Sequence, residues 1–231
     1  MFFDLDGTLA EIADTPEAVR LDARMRSLLV DIVRAGACAV LTGRAVAEAD
    51  RILEGVVPAI AGLHGLESRM APSTWLRQEA RADAVRIIAA RFEREIATGQ
   101  LDARLEDKGA SIALHYRHAP HAETRIREAA ERAARAAGLK TLSGKCVIEI
   151  IPHGADKGHA LRAFMHAAPF VGRRPVAVGD DVTDESAFEA ANALGGYSVL
   201  VGPARRSAAQ FRLGSVGDVR VWLTKALEGT R

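Results

Sequence analysis

Two carboxylates separated by a single residue, Asp4 and Asp6 in Phe3-Asp4-Leu5-Asp6-Gly7-Thr8, supply the first chemistry in the chain. They end an apolar stretch and precede a polar excursion, so one can attack an electrophile while the other moves a proton. A second acidic group lies far downstream in Gly179-Asp180-Asp181-Val182-Thr183-Asp184-Glu185, directly after the apolar run Val176–Val178. Five acids fall between Asp180 and Glu189, and helix capping accounts for only some of them. Acid pairs at two strand ends suit a hard cation that takes oxygen ligands, Mg2+ foremost. Lys157, in Asp156-Lys157-Gly158, opens a helix, where the helix dipole disfavours a cation. A carboxylate and a phosphoryl group nearby would offset that misplacement. Thr42, in Leu41-Thr42-Gly43-Arg44, sets a hydroxyl at a strand end. Nucleophile, proton carrier, ammonium, hydroxyl and metal site together suit phosphoryl transfer.

These residues need a frame to bring them together. Met1–Leu5, Ala37–Leu41 and Val56–Ala61 read as strands, with helical apolar spacing over Leu21–Ala35 and about Ala45–Leu53 between them. That alternation implies a parallel sheet with right-handed crossovers. It resumes after Pro152 with a helix over Lys157–Ala168, a strand over Pro175–Val178 and a helix over Thr183–Asn192. A strand over Tyr197–Val201 and a helix near Gly217–Leu227 follow. The middle of the chain has a different order, α-β-β-α-β-β. An amphipathic helix over Leu76–Ala97 turns Ile87, Ile88, Phe92 and Ile96 inward, and strands Leu101–Glu106 and Ser111–Tyr116 follow. A helix from about Glu123 to Ala137 then leads to strands Leu139–Leu142 and Cys146–Ile151, joined at Ser143-Gly144. The expected fold class is α/β: a Rossmann-like parallel-sheet core (residues 1–66 and 152–231) interrupted by an α+β domain over residues 67–151. Ligands of open parallel sheets bind beyond the carboxyl ends of the strands, so Asp4, Asp6, Thr42 and Asp180 should meet there.

Composition narrows the field. The chain has 231 residues, 48% of them apolar and 26% charged, with 31 Lys+Arg against 30 Asp+Glu. That near-neutral balance argues against a protein that coats duplex nucleic acid through many phosphate contacts. No apolar run reaches the roughly 20 residues that span a bilayer. Two acids at positions 4 and 6 stand where a secretion signal needs a basic start and an apolar run, so a cytoplasmic location is expected. The two cysteines, Cys38 and Cys146, lie in apolar, strand-like stretches without zinc spacing and read as buried free thiols. Only five of the basic residues are lysines, which singles out Lys108, Lys145 and Lys157.

The four chemical segments, in this order and spacing, resemble the motifs of the haloacid dehalogenase superfamily of phosphatases. The inserted domain narrows the likeness. Leu105-Glu106-Asp107-Lys108-Gly109-Ala110-Ser111, His115-Tyr116-Arg117, and Gly144-Lys145 with Glu149 and Pro152 are similar to the cap of the trehalose-6-phosphate phosphatases. The resemblance implies that Asp4 attacks phosphorus and forms an aspartyl-phosphate while Asp6 serves as acid and then base. Thr42 and Lys157 would hold the phosphoryl oxygens. Mg2+ would be bound by Asp4, the backbone carbonyl of Asp6 and Asp180, with Asp181 and Asp184 as further candidates. Residues 67–151 become a substrate-specificity cap in which Glu106, Lys108, Arg117, Lys145 and Glu149 read the sugar, and Arg44 is grouped with these substrate contacts. Glu106 and Lys108 also fit plain protection of a strand edge. His64 fits either a substrate contact or a locally bonded turn histidine.

The implied partner is a small-molecule sugar phosphate, without nucleic acid or membrane, and with a monomer as the default. Alternatives are a phosphatase for a sucrose or mannosylglycerate phosphate, and a non-catalytic sugar-phosphate sensor. Two departures from the family pattern stand out. Only three residues precede Asp4, so either the start is trimmed or the central strand is short. Ile151 occupies a position where the family often carries arginine.

Overall fold

The computed structural model describes residues 1–71, 74–77 and 82–229. They form two compact units, Met1–Arg77 with Asp156–Arg231, and Gln78–Ala155.

The first unit is built on an eight-stranded sheet. In chain order its elements are β1 (Phe2–Phe3), α1 (Ala23–Ala35), β2 (Ala39–Leu41), α2 (Val46–Ile52), β3 (Ala59–Gly62), β4 (Glu67–Ala71) and β5 (Thr74–Arg77). Strand β1 is short but central, and its two phenylalanines divide between the two faces of the sheet. Phe3 joins a core with Val40, Ile60, Met25 and Leu29, while Phe2 joins Phe164, Phe170 and Phe188 on the other face. Period-two alternation in a strand buried on both sides produces this division.

The second unit comprises α3 (Ala82–Ala97), β6 (Arg104–Asp107), β7 (Ile112–His115), α4 (Glu123–Ala137), β8 (Lys140–Gly144) and β9 (Val147–Ile151). Its four strands are antiparallel in the order β6-β7-β9-β8. Ile112, Leu114, Ile148 and Ile150 share one core with Val85, Ile88 and Phe92 of α3 and Ile126 and Ala130 of α4. The alternate residues Ala113, His115, Val147 and Glu149 therefore belong to the opposite face.

The first unit resumes with α5 (Lys157–Met165), β10 (Val176–Gly179), α6 (Glu185–Ala193), β11 (Tyr197–Val201), β12 (Phe211–Leu213) and α7 (Val216–Glu228). Its complete strand order is β12-β11-β10-β1-β2-β3-β4-β5, parallel from β12 to β3 and antiparallel from β3 onward. Helices α1, α2 and α7 share one core with the sheet, and α5 and α6 share the other. Among the described residues no helix is long and apolar enough to cross a membrane.

Several sequence expectations shift. Residues 67–71 and 74–77 are strands that extend the first sheet, so the units divide at 77/78 and 155/156 rather than at 66/67 and 151/152. The helix expected over Leu76–Ala97 starts at Ala82, and its residues 78–81 lie outside the described residues. Ile87 is 71% exposed, because the buried stripe runs through Val85, Ile88, Ala89 and Phe92 at helical spacing. The hairpin between β8 and β9 turns at Lys145-Cys146, where Cys146 takes φ 59°. Cys146 is consequently a half-buried turn residue, whereas Cys38 is buried and its thiol is pushed up to about 11 by that burial.

Candidate active site

The carboxyl ends of β1 and β10 lie side by side, with Phe3 opposite Val178 and the Asp4 N–H donating to the Val178 carbonyl at 2.8 Å. Asp4 and Asp180 thus emerge as neighbours from adjacent strands. Asp184 joins them from the turn that precedes α6. One carboxylate oxygen from each of Asp4, Asp180 and Asp184 lies within 4.8 Å of the others, and all three residues are buried. Close backbone approach makes this possible. Gly7 adopts φ +77°, and a Cβ there would lie 2.3 Å from Asp180 Oδ2.

Lys157 completes the cluster. Asp156 caps α5 by accepting from the His159 N–H at 3.0 Å, which sets Lys157 at the first helical position. Its Nζ lies 2.9 Å from Asp4 Oδ1 and 2.7 Å from Asp184 Oδ1, with only 2% of the side chain exposed. Two buried carboxylates overcome the unfavourable end of the helix dipole. Burial opposes the charge on Lys157, but Asp184 and Asp4 outweigh it and hold the amine above its usual value. Burial also pushes the Asp4 carboxyl well above the usual carboxylate range. Lys157 pulls it back, and Asp184, Asp180 and Asp6 push it further up. Burial first and the neighbouring acids second raise Asp4, while the acids raise Lys157; three carboxylates face this ammonium, leaving the cluster short of positive charge. A hard cation on this all-oxygen donor set would supply that charge.

Asp6 is held apart from the cluster by Arg44. The guanidinium makes two parallel bonds, Nε to Oδ2 at 2.7 Å and Nη2 to Oδ1 at 2.8 Å. Arg44, two residues ahead of α2, also engages Glu48 in the first turn of that helix and donates to the Pro16 carbonyl at 3.0 Å. Thr42 is buried at the end of β2, and its Oγ1 accepts the Arg44 N–H at 3.1 Å. Strand end, hydroxyl and arginine are therefore one rigid piece. Asp181 takes a different part: its carboxylate caps the turn ahead of α6, accepting from the Val182 N–H at 2.7 Å. Asp184 answers by accepting the Asp181 N–H at 2.9 Å.

In the second unit, Glu106, Ala113 and Glu149 stand opposite one another across β6, β7 and β9, so the two acids share the face away from the helices. Lys108 Nζ lies 2.5 Å from Glu149 Oε1, and His115 Nε2 lies 2.7 Å from Glu106 Oε2. Burial opposes ionisation of Glu106, but the His115 hydrogen bond and the Lys108 ammonium outweigh it and hold the carboxyl below its usual value.

Comparison with known proteins gives the family. The model of the trehalose-phosphatase family matches residues 2–216. The chain belongs to the trehalose-phosphatase family. The trehalose-6-phosphate phosphatase of Escherichia coli (strain K12) is 41% identical over 236 residues, covering all of this chain and 88% of that protein. A probable trehalose-phosphate phosphatase of Sinorhizobium fredii is 40% identical, covering 88% of this chain and 77% of that one. Among solved structures, a trehalose-6-phosphate phosphatase related protein superposes with a TM-score of 0.76 at 25% identity, covering 99% of this chain and 97% of that one. The C-terminal domain of the Candida albicans trehalose-6-phosphate phosphatase shares the fold, with a TM-score of 0.83 at 20% identity over 98% of this chain and 91% of that one.

For this trehalose-phosphatase family chain, the expected site residues sort into groups. Asp4, Asp180, Asp184 and Lys157 come together. Asp181, read beside Asp184 as a further metal candidate, spends its carboxylate on the cap. Arg44, expected among the substrate contacts, is engaged with Asp6 and Glu48. His64 is buried over Gly43, where a Cβ would lie 2.8 Å from its ring, and its backbone N–H donates to the Thr42 carbonyl at 3.0 Å in a turn where it takes φ 56°. Arg117 and Lys145 are exposed at one end of the second unit's strands, after β7 and in the β8–β9 turn. Glu48 and His115 were missed as partners, although spacing signals both. Glu48 lies in the first turn of α2, four residues after Arg44, and His115 lies two residues after Ala113 along β7.

Proposed function

We propose that the protein hydrolyses trehalose 6-phosphate to trehalose and inorganic phosphate through an aspartyl-phosphate on Asp4. The observation that carries this reading is the buried Lys157 bonded to both Asp4 and Asp184, with Asp180 in the same cluster. Asp4, Asp180 and Asp184 would hold Mg2+, with the Asp6 carbonyl as a further ligand; once bound, the cation would offset charge on the transferring phosphoryl group. Asp4 attacks phosphorus as the bond to the sugar oxygen breaks, and Asp6 gives that oxygen its proton. Asp6 then takes a proton from a water molecule that attacks the aspartyl-phosphate, releasing phosphate and regenerating the Asp4 carboxylate. Lys157 and Thr42 hold the phosphoryl oxygens, and Arg44, which engages both oxygens of Asp6, gives up one of them when Asp6 carries the proton and orients the carboxyl through the other.

Residues of the second unit, acting as the cap, would read the sugar. A disaccharide offers many hydroxyls, and Glu106, Lys108 and Glu149, with Arg117 and Lys145, form strong directional bonds to such groups. Measuring kcat/KM over trehalose 6-phosphate, sucrose 6-phosphate and a mannosylglycerate phosphate tests the substrate. A preference for trehalose 6-phosphate is expected, and a flat profile or another preferred sugar overturns it. Asp4→Asn should abolish turnover with the thermal transition retained; undiminished hydrolysis would remove Asp4 as nucleophile.

A further inference from the structure

His115 takes no part in the chemistry above, yet its surroundings are specific. It ends β7, pairs in register with Arg104 on one side and Val147 on the other, and shares a face with Ala113. Glu106 stands opposite Ala113, so Glu106 and His115 are diagonal neighbours on adjacent antiparallel strands. Their side chains close that diagonal with a bond of 2.7 Å between His115 Nε2 and Glu106 Oε2. An ionised carboxylate only accepts hydrogen bonds, so Nε2–H is the donor, and this holds for the neutral imidazole and the imidazolium alike. Both side chains are between a quarter and a third exposed, at 29% and 28%, so the contact sits at the rim of solvent rather than in the core.

A carboxylate on a solvent-facing strand with three rotatable side-chain bonds has many orientations to lose before it can bind a hydroxyl. Across the same row, Glu149 has its Oε1 tied to Lys108 at 2.5 Å. Each acid of the row thus has one oxygen fixed by a basic neighbour, Glu149 by Lys108 and Glu106 by His115. The second oxygen of each then points in a set direction.

We propose that His115 is a positioning residue for sugar recognition, which anchors one oxygen of Glu106 so that the other meets a substrate hydroxyl already oriented. The proposal rests on the reading of the second unit as the sugar-recognising cap. It makes the Glu106–His115 pair a determinant of affinity and leaves the phosphoryl chemistry to the first unit.

The test compares His115→Leu, which fills similar volume without a donor, with His115→Gln, whose amide nitrogen reaches about as far as Nε2. Each is assayed on trehalose 6-phosphate and on p-nitrophenyl phosphate, which has no sugar to read. His115→Leu should raise KM for trehalose 6-phosphate about tenfold, one charge-assisted hydrogen bond's worth of affinity. Its kcat, and its turnover of p-nitrophenyl phosphate, should stay within about twofold of the parent. His115→Gln should restore KM to within about threefold. In a cycle with Glu106→Gln, the double variant should be no worse than Glu106→Gln alone.

An unchanged KM in His115→Leu, equal losses on both substrates, or additive losses in the cycle would overturn the proposal. If His115→Leu does not fold, His115→Gln and His115→Asn decide the matter. The shorter amide must lose the affinity that the longer one keeps, and equal KM values refute the role. An unmodified protein with no preference for trehalose 6-phosphate would fail the underlying functional reading instead, and the two failures are seen in different proteins.

Discussion

Replacing Lys157 by methionine removes the one ammonium in the carboxylate cluster while keeping most of the apolar stem. Nζ makes two contacts, at 2.9 Å to Asp4 and 2.7 Å to Asp184, with only 2% of the lysine side chain exposed. Taking one partner out of a buried pair leaves an uncompensated charge, which costs about 3–5 kcal/mol. For a chain of this size each kcal/mol moves the melting temperature by about 2–4 °C, so Lys157→Met should melt roughly 6–20 °C below the parent in EDTA. Both tryptophans, at positions 75 and 222, belong to the first unit, so intrinsic fluorescence follows the unit that carries the change. Millimolar Mg2+ should recover part of the loss, because a dication neutralises the same carboxylates.

The dependence on pH has a definite sign. Lys157 is held above its usual value, so its own contribution stays whole below about pH 10. Any pH trend in the gap between the two proteins therefore comes from the carboxylates. Asp4 is raised, so toward pH 5 it takes up a proton and relieves the variant. The gap should narrow at pH 5 and widen at pH 8. Equal melting temperatures in EDTA at pH 8, or a gap that Mg2+ leaves untouched, would refute the charge argument.

Two further substitutions probe the pieces around the cluster. Arg44→Met frees Asp6 from its two-bond clamp and should lower kcat by about 10- to 100-fold, the usual cost of a misplaced catalytic group, with KM nearly constant. Steady-state kinetics showing an unchanged kcat would remove Arg44 from the positioning of Asp6. Gly7→Ala places a Cβ 2.3 Å from Asp180 Oδ2 in a backbone with φ +77°, so Asp180 must swing away. Calorimetric titration should then show Mg2+ affinity at least about tenfold weaker, and undiminished affinity would take Asp180 out of the proposed metal site.

The core of this fold was legible because its strands are buried on both faces. Runs such as Ala37–Leu41 and Val176–Val178 are continuous apolar stretches closed by glycine or a hydroxyl, a pattern few other elements produce. β4 and β5 escaped notice for the opposite reason. They form the antiparallel end of the sheet, and Glu67-Ser68-Arg69 carries polar residues that resemble a linker. Arg69 is nonetheless tied down, donating to the Pro58 and Val57 carbonyls at 3.2 and 3.0 Å and to Asp50 at 2.5 Å. Ile87 was misplaced because three isoleucines lie within ten residues of α3, and a hydrophobic count without a fixed phase admits more than one stripe.

Within the site, sequence located the chemistry but not the partners. Residue types at strand ends identified Asp4 and Asp180, since the ends of parallel strands converge whatever the loops do, and Lys157 stood out as a cation in the first turn of a helix. Which acid of the group Asp180, Asp181 and Asp184 faces inward depends on one turn of backbone. Asp181 is spent on the Val182 N–H, and Asp184 is carried round to Lys157. The same limit separates Arg44 from the substrate contacts with which sequence grouped it. Its guanidinium can satisfy Asp6 only because β1 and β2 are adjacent, with Phe3 opposite Val40, a pairing between residues nearly forty positions apart that local spacing does not encode. Glu48, by contrast, is close in sequence, in the first turn of α2, and engages the arginine through Nη1. A short-range contact and a long-range pairing thus converge on one side chain. Exchanging Arg44 therefore disturbs Asp6, and with it both proton transfers of the proposed reaction, while the Asp4, Lys157 and Asp184 cluster keeps every contact it has.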